Sequence, residues 1–366
     1  MVVLGHVAKA EHSNEPITIG GVSVAPGERR KFDLPMAKLY THTPLDMPVE
    51  VINGERAGPV LLVCAAIHGD ELNGVEIIRR LRMLKDLDRL RGALVLAPVV
   101  NLFGFIHQSR YLPDRRDLNR CFPGSATGSL GSRVAHMFFD EVVLKCTHVI
   151  DLHTGAVHRD NLPQLRADLS DPVVNDMSHS FGLPVIVNAG LIEGTLRHAA
   201  RDAGIPVITY EAGEALRLDE RAIVAGVRGV THVLRGLGML RHRRRRSFSA
   251  EPYVARATVW HRAGMDGMFR PMAKLGAWVR KDEVLGVISA PYDAPERRVR
   301  AKVEGIIIGA NNLPLVNEGE ALFHIARFGP ANEVEAVKDE IVAQQEAVEQ
   351  DDLYEIERAR DLDLNI

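Results

Sequence analysis

The chain has 366 residues, of which 46% are hydrophobic and 25% are charged, as expected for a soluble protein with a sizeable core. A formal net charge of −3 argues against a molecule built as a whole to coat nucleic acid or anionic lipid. Three widely spaced cysteines, none in a CxxC pair, argue against a disulfide framework or a cysteine–zinc knuckle.

The first residues, MVVLGHVAKAEHSNEP, lack the basic start and the long apolar core of a signal peptide. No stretch approaches the roughly 18 uninterrupted apolar residues that are needed to span a bilayer. The sequence therefore predicts a cytoplasmic protein with no membrane partner.

The sequence pattern changes along the chain and predicts four segments. They are an extended N-terminal leader with short strands that packs on the main domain (1–50), the main domain (51–245), a small β domain (250–328) and an acidic helical tail (329–366).

In the main domain, continuous apolar runs alternate with amphipathic segments. The predicted strands are PVLLVCAAIHG (59–69), GALVLAPVV (92–100), THVIDLHTG (147–155), LPVIVNA (183–189) and IPVITYEAG (205–213). The predicted helices are ELNGVEIIRRLRMLKDL (71–87), SRVAHMFFDEVVLKC (132–146) and GTLRHAARDAG (194–204). This alternation predicts an α/β fold whose mostly parallel or mixed sheet carries helices on both faces. Ligands of such sheets bind outside the carboxyl ends of the strands.

The small β domain has short strands separated by turn glycines, and its layout resembles the biotinyl/lipoyl barrel-sandwich domain. The resemblance implies a hairpin with a modified lysine inside a Met-Lys-Met triplet. That triplet is absent between VLGVIS (284–289) and RVRAKVEG (298–305), so we expect a structural module and not a carrier.

Five arginines occur within residues 241–246. Such a run suits a nucleic-acid patch, but a solvated linker or a basic edge facing the acidic tail is the favoured interpretation, and we expect no nucleic-acid partner. The acidic tail and the added β domain are compatible with a homo-oligomer.

The first buried strand ends in polar residues, because His68 follows an apolar run (60–67) and Glu71 comes three residues later. This spacing at a strand–helix junction lets an imidazole and a carboxylate converge on one point. Catalytic zinc commonly uses two histidines and one glutamate. A glutamate at a helix N-terminus also suits the helix dipole, so Glu71 alone leaves both interpretations open.

A third ligand should come from another strand end, and His153 lies at the end of the strand 147–155. A lone histidine there would usually be a core residue, but with His68 and Glu71 it completes a zinc-binding set. Asp151 precedes it by two residues and shares its face of the strand. Asp151 either orients a ligand histidine or accepts a hydrogen bond at the strand end.

Hydrolysis at such a metal needs a base, and Glu211 ends a later strand in the same region. Glu214 competes for this role, but it falls beyond Gly213, so Glu211 is preferred.

The loop 107–124 is dense in polar side chains. Because arginine binds carboxylates through two parallel hydrogen bonds, Asn119 and Arg120 are candidates for holding a substrate carboxylate. Arg110 is a candidate for stabilising an oxyanion. An exposed charged loop with no such role is the alternative.

The motifs HGDE (68–71), DLNRCFPG (117–124), DLHTG (151–155) and TYEAG (209–213) occur in this order. Over roughly residues 50–240 the chain resembles the succinylglutamate desuccinylase/aspartoacylase family, whose fold is zinc carboxypeptidase-like. The resemblance implies that residues 51–245 are a zinc-hydrolase catalytic domain and that the small β domain matches the family's own. It departs at Asp70, where asparagine is common. The resemblance implies one zinc ion per subunit, bound by His68, Glu71 and His153. It implies that Glu211 is the general base and acid and that Arg110 polarises the scissile carbonyl. It also implies that Asn119 and Arg120 bind a carboxylate of the substrate.

We therefore expect a zinc-dependent amidohydrolase that removes an acyl group from an N-acyl amino acid, a small-molecule substrate bearing a carboxylate. Zinc-activated water would attack the amide, with Glu211 moving the proton. A carboxypeptidase-type enzyme acting on the carboxy-terminal residue of a peptide or isopeptide uses the same machinery and is the alternative. A metal- or ligand-binding protein without catalysis is a third hypothesis, against which the complete set of candidate ligands and base argues.

Overall fold

In a computed structural model, the described residues are 13–241, 252–292 and 296–328. Most of the arginine run and the acidic tail lie outside them. No helix in these ranges is long and apolar enough to cross a membrane.

Strands make up most of the regular structure. They are β1 (Ile17–Ile19), β2 (Val22–Val24), β3 (Arg29–Lys38), β4 (Pro44–Asn53), β5 (Arg56–Ala65), β6 (Arg91–Ala97), β7 (His148–Gly155), β8 (Arg159–Ala167), β9 (Val185–Asn188), β10 (Val207–Glu214), β11 (Tyr253–Ala255), β12 (Ala257–Arg262), β13 (Gly267–Pro271), β14 (Trp278–Val279), β15 (Val284–Ser289), β16 (Arg297–Arg300), β17 (Gly305–Asn311), β18 (Leu315–Val316) and β19 (Ala321–Arg327). The helices are α1 (Asn73–Leu81), α2 (Leu102–Ile106), α3 (Leu130–Glu141), α4 (Pro172–Phe181), α5 (Leu196–Asp202) and α6 (Glu220–Gly236). Three 3₁₀ turns lie at Lys85–Arg89, Leu118–Arg120 and Val143–Lys145.

One large mixed sheet organises the molecule, in the strand order β12-β19-β17-β8-β10-β7-β5-β6-β4-β3. The four central strands β6, β5, β7 and β10 are parallel neighbours, and antiparallel strands flank them on both sides. The carboxyl ends of the four parallel strands therefore share one edge of the sheet, where ligands of such folds bind.

The alternation of side chains along β5 explains why helices cover both faces. Leu61 and Val63 belong to the core beneath α1, α4 and α6. Leu62 and Cys64 belong to the opposite core, with α3 and α5. Because successive strand residues point to opposite faces, a continuous apolar run requires cover on both sides. The predicted α/β fold with a mixed sheet and helices on both faces is confirmed.

The strands after residue 252 extend this sheet and also form a second one. We call residues 252–328 the β module. Its strands β17, β19 and β12 continue the large sheet beyond β8, and β11 pairs with β9. Strands β16, β15, β13 and β18 form a separate four-stranded sheet, and a core that includes Phe269, Leu285 and Phe323 lies between the two sheets.

The element bounds differ in places from the sequence expectation. Helix α1 begins at Asn73 and not at residue 71, because residues 68–72 form a turn. Strand β8 and helices α4 and α6 are absent from the sequence-based prediction. Strand β4 runs through position 50, and the division into four domains stays a prediction.

Candidate metal centre

The loop after β5 turns sharply and brings two polar side chains together. Ala66 has a positive φ of 49°, and the Glu71 amide donates to the His68 carbonyl oxygen at 3.1 Å. A Cβ on Gly69 would lie 1.9 Å from the Gly104 carbonyl carbon, so only glycine lets the loop pack against α2. Sterics at this glycine therefore help to fix the positions of His68 and Glu71.

His68, Glu71 and His153 converge at the carboxyl ends of β5 and β7. Their candidate ligand atoms all lie within 4.8 Å of one another, and all three residues are buried. The Nδ1 atoms of His68 and His153 each lie 2.8 Å from one oxygen of the Glu71 carboxylate. We call these three residues the His–Glu–His group, and it could hold a metal ion.

Two further carboxylates hold the outer nitrogens of the imidazoles. Asp117 Oδ1 lies 3.0 Å from His68 Nε2, and Asp151 Oδ2 lies 2.8 Å from His153 Nε2. Such outer carboxylates fix the tautomer and orientation of ligand histidines. Asp151 thus lies where the orienting interpretation places it.

The electrostatics of the group favour positive charge. Burial alone would lower the pKa of both histidines, but carboxylates outweigh it: Glu71 and Asp117 raise the pKa of His68, and Asp151 and Glu71 raise that of His153 well above its usual value. Burial alone would raise the pKa of Glu71, but His68 and His153 hold it well below its ordinary range. A buried pocket that stabilises cations, with a His₂Glu donor set, fits a divalent metal such as zinc.

Arg110 lies directly beside this group. Its Nη1 donates to Glu71 Oε1 at 3.3 Å, and its Nη2 donates to Asp117 Oδ2 at 2.8 Å. The guanidinium is therefore held at the edge of the His–Glu–His group by two carboxylates.

Asn119 and Arg120 lie next to each other on the loop that faces α5. Asn119 Oδ1 accepts the Leu196 amide at 2.9 Å, which ties the loop to the first turn of α5. Arg120 is exposed, and its Nη1 donates to the Asn119 carbonyl oxygen. This arrangement keeps a flexible cation on the solvent side of the site.

Glu211 lies beside the His–Glu–His group because β10 pairs with β7 in parallel and Glu211 is the register partner of His153. Its Oε2 accepts from Asn161 Nδ2 at 2.8 Å, and its Oε1 lies 3.5 Å from Arg166 Nε. The carboxylate is thus oriented from β8.

Glu214, the competing base, has different neighbours. Its Oε2 accepts from Asn312 Nδ2 at 2.8 Å, and its Oε1 lies 3.4 Å from His158 Nδ1. The register of β10 against β7 shifts between Glu211 and Glu214, so the two glutamates are not equivalent on the strand.

Sequence reasoning missed four polar residues of this region: Asp117, Asn161, Arg166 and Arg197. Burial lowers the pKa of Arg197, as does the charge of Arg166, whereas the charges of Asp168, Glu211 and Asp151 raise it. Its Nη2 donates to the Gly190 carbonyl oxygen at 2.8 Å. Asp117 is the first residue of the motif DLNRCFPG, whereas Asn161 and Arg166 lie on β8, where the sequence predicts no strand.

Comparison with known proteins gives the chain its family. Residues 57–237 match the model of the succinylglutamate desuccinylase/aspartoacylase catalytic domain. The chain belongs to the succinylglutamate desuccinylase/aspartoacylase family. The resemblance inferred from the four motifs is therefore confirmed.

Individual relatives of this family member share its fold over most of their length. It is 23% identical to the N-α-acetyl-L-2,4-diaminobutyric acid deacetylase of Halomonas elongata over 296 residues. The aligned region covers 76% of this chain and 85% of the deacetylase. The succinylglutamate desuccinylase/aspartoacylase structure from Rhodobacter sphaeroides is 25% identical, with a TM-score of 0.73, over 82% of this chain and 96% of that one. The ectoine utilization protein EutE (DoeB) from Ruegeria pomeroyi is 24% identical, with a TM-score of 0.74, over 85% and 99% of the two chains.

Proposed function

We propose that the protein is a zinc-dependent hydrolase that removes an acyl group from an N-acyl amino acid, with one zinc ion per subunit. The observation that carries this proposal is the placement of the His–Glu–His group beside Glu211 on the adjacent strand. The deacetylase from Halomonas elongata, a relative across most of the chain, is named for a small N-acetylated amino acid.

The His–Glu–His group would hold the zinc, which when bound polarises a carbonyl oxygen and lowers the pKa of water. Arg110 lies against Glu71 and Asp117 at the edge of this group. From there its guanidinium can donate to the oxygen of the scissile carbonyl as negative charge develops on it.

Glu211 has the position and the support of a proton carrier. Asn161 and Arg166 contact its carboxylate, and neither residue belongs to the His–Glu–His group. Glu211 takes a proton from the attacking water and delivers it to the departing amine.

Arginine side chains on two sides of the site would bind a substrate carboxylate. Arg120 lies on the solvent side, next to Asn119, whose Nδ2 is a further donor. Arg197 and Arg166 lie on the side of Glu211. Guanidinium groups bind carboxylates with charge-assisted hydrogen bonds, so this distribution favours an acidic substrate over a neutral one.

The test is amine release by zinc-loaded protein from a panel of N-acetyl and N-succinyl amino acids, N-α-acetyl-2,4-diaminobutyrate and short peptides. Release from one or more N-acyl amino acids, abolished in Glu211→Gln, is the expected result. Release from peptides alone would replace the proposal with the carboxypeptidase-type alternative. No release from any substrate by protein with bound zinc would refute the deacylase assignment for these acyl groups.

A further inference from the structure

A second set of polar and aromatic residues lies on the face of the sheet that carries Glu211. We call Arg159, Gln164, Arg166, Trp260 and His324 the distal cluster. Its residues come from β8 and from the β module strands β12 and β19. The cluster therefore joins the catalytic domain to the β module at the catalytic face.

The strand register puts this cluster in a row that begins at Glu211. Glu211 pairs with Gln164 on β8, Asn161 of the same strand pairs with Gly309 on β17, and Gly309 pairs with His324 on β19. His324 in turn pairs with Trp260 on β12, whose ring stacks on the imidazole. The ring centroids are 4.0 Å apart and the ring planes are 5° from parallel. The row crosses five strands; on β8 it shifts from Gln164 to Asn161, whose Nδ2 donates to Glu211 Oε2.

Several polar atoms of the distal cluster are buried without a hydrogen-bond partner among the described residues. They are Arg159 Nε, Gln164 Oε1 and both His324 ring nitrogens, whereas Arg166 Nε has only its ion-pair contact with Glu211 Oε1 at 3.5 Å. Gln164 is fully buried and His324 is 2% exposed. A buried polar atom without a partner costs about 1–3 kcal/mol, so a ligand that supplied partners to several of these atoms would bind favourably here.

The charges of the distal cluster specify the ligand. Arg159 lies over the Trp260 ring, with its guanidinium carbon 5.3 Å from the ring centroid. Burial, together with the charges of Arg166 and Arg159, lowers the pKa of His324 to about 3. The imidazole is therefore neutral and offers one donor and one acceptor between two cations.

Gly309 lets the row pack closely. A Cβ on Gly309 would lie 3.1 Å from Asn161 Oδ1 and 3.2 Å from His324 Cβ, which is tighter than ordinary packing. Glycine therefore allows the side chains of Asn161 and His324 to come close together across β17.

We propose that the distal cluster binds an anionic group, a carboxylate or a phosphate, at the remote end of the substrate. This inference rests on the proposed function, because it places the scissile amide next to Glu211. The arginines are one strand from Glu211 and His324 is three strands away, so the anion lies roughly 5–14 Å from the Glu211 strand. The substrate is then longer than an N-acetyl amino acid, and the β module helps to select it.

The test uses Trp260 as a reporter and needs no turnover. The chain has two tryptophans, so Trp278→Phe leaves Trp260 as the sole indole. Tryptophan fluorescence of this protein, with and without zinc, is titrated with succinate, glutarate, adipate and inorganic phosphate at constant ionic strength. The same titrations are run with Arg159→Gln, His324→Phe and Arg298→Gln added; Arg298 is an exposed arginine of β16 and is the matched control.

We expect a saturable change in Trp260 emission that is about tenfold weaker in affinity in Arg159→Gln and His324→Phe and unchanged in Arg298→Gln, the size expected for one charge-assisted hydrogen bond. Tighter binding of a dicarboxylate identifies the remote group as a carboxylate, and tighter binding of phosphate identifies it as a phosphate. No saturable change with any anion at millimolar concentration, or equal affinities in all variants, would overturn the inference.

The two proposals fail separately. A protein that hydrolyses N-acyl amino acids but shows no anion response at Trp260 refutes the distal cluster alone. A protein that binds the anion at Trp260 but hydrolyses no N-acyl amino acid refutes the proposed function alone. Where both hold, Arg159→Gln raises KM for N-acyl amino acids with a remote anion and leaves N-acetyl substrates unchanged.

Discussion

The His–Glu–His group and the distal cluster lie on the same face of one sheet and are both buried, but their polar atoms are satisfied to different degrees. Each imidazole nitrogen of His68 and His153 contacts a carboxylate, and both Glu71 oxygens accept hydrogen bonds. In the distal cluster, by contrast, both nitrogens of His324 lack a partner within the described ranges.

This difference means that the two regions are prepared for binding in different ways. A network in which every member is hydrogen-bonded holds its side chains rigidly, and its carboxylates already stabilise positive charge where a metal ion would bind. An unsatisfied cluster carries a free-energy cost in the ligand-free protein, and a ligand that supplies the missing partners recovers it. We therefore expect mutations to lower function in both regions but to change stability in opposite directions.

The largest effect on activity is expected at Glu211, the proposed base beside the His–Glu–His group. Glu211→Gln keeps the size of the side chain but cannot accept a proton, so kcat should fall by about 10²- to 10⁴-fold, the usual contribution of a general base. Zinc content should stay at the wild-type level, since Glu211 is not in the His–Glu–His group.

Glu214→Gln is the matched control for this prediction, because Glu214 lies three residues away and contacts His158 and Asn312 instead. Its kcat should remain close to wild type. A Glu211→Gln protein as active as Glu214→Gln would remove Glu211 from the mechanism.

The next effect is expected at the outer carboxylate of His153. Asp151→Asn removes the charge that holds His153 Nε2 at 2.8 Å, and zinc affinity should weaken by about 10- to 100-fold, as is usual for such partners. His153→Ala should lose the metal altogether, whereas His148→Ala, at the start of the same strand, should retain it. Metal content after dialysis against graded chelator measures all three, and full occupancy in His153→Ala would contradict the ligand set.

The sequence predicts the satisfied group far better than the distal cluster. His68, Glu71, His153 and Glu211 each follow a long apolar strand, so strand periodicity and the rule that ligands bind at carboxyl ends bring them together without knowledge of the fold. No comparable signal exists for β8, whose sequence RDNLPQLRA mixes charges, a proline and amides.

The strand register explains why the other contacts of these two regions could not be predicted from the sequence. Asn161 reaches Glu211 because β8 shifts register against β10 between Glu211 and Gly213, and His324 reaches this face only through β17. Pairings between residues more than 100 positions apart in sequence depend on the packing of the whole β module. A single sequence contains no periodicity that reports them.

A smaller effect, an increase in the free energy of unfolding, is expected in the distal cluster. His324→Phe keeps a flat ring against Trp260 and removes two buried nitrogens without partners, so the free energy of unfolding should rise by about 1 kcal/mol. His261→Phe is the matched control, because His261 is equally buried but only its Nδ1 lacks a hydrogen-bond partner among the described residues, while its Nε2 accepts the Lys302 amide at 2.6 Å. That variant should lose about 1 kcal/mol.

Urea unfolding of the metal-free proteins measures both changes, and the same substitution at both sites cancels the effect of the larger ring. If His324→Phe destabilises the protein as much as His261→Phe does, then His324 is satisfied by water in the ligand-free protein. The contrast between the two regions would then disappear.

The smallest effect is expected at Glu50 on β4, a buried carboxylate that belongs to neither region and pairs with two partly exposed arginines. Burial alone would raise the pKa of Glu50, but hydrogen bonds from Arg82 and Arg29 outweigh burial and lower it. A lowered pKa in the folded state means that Glu50 stabilises the protein at neutral pH and that this contribution disappears as the pH falls through the folded-state pKa. Because the side chains of Arg29 and Arg82 are 40% and 37% exposed, solvent screening limits the contribution to less than about 1 kcal/mol. Glu50→Gln should therefore unfold at slightly lower urea concentration than wild type near neutral pH, with the two curves converging as the pH falls below the folded-state pKa of Glu50. A difference that persists in acid would mean that Glu50 acts through packing and not through its charge.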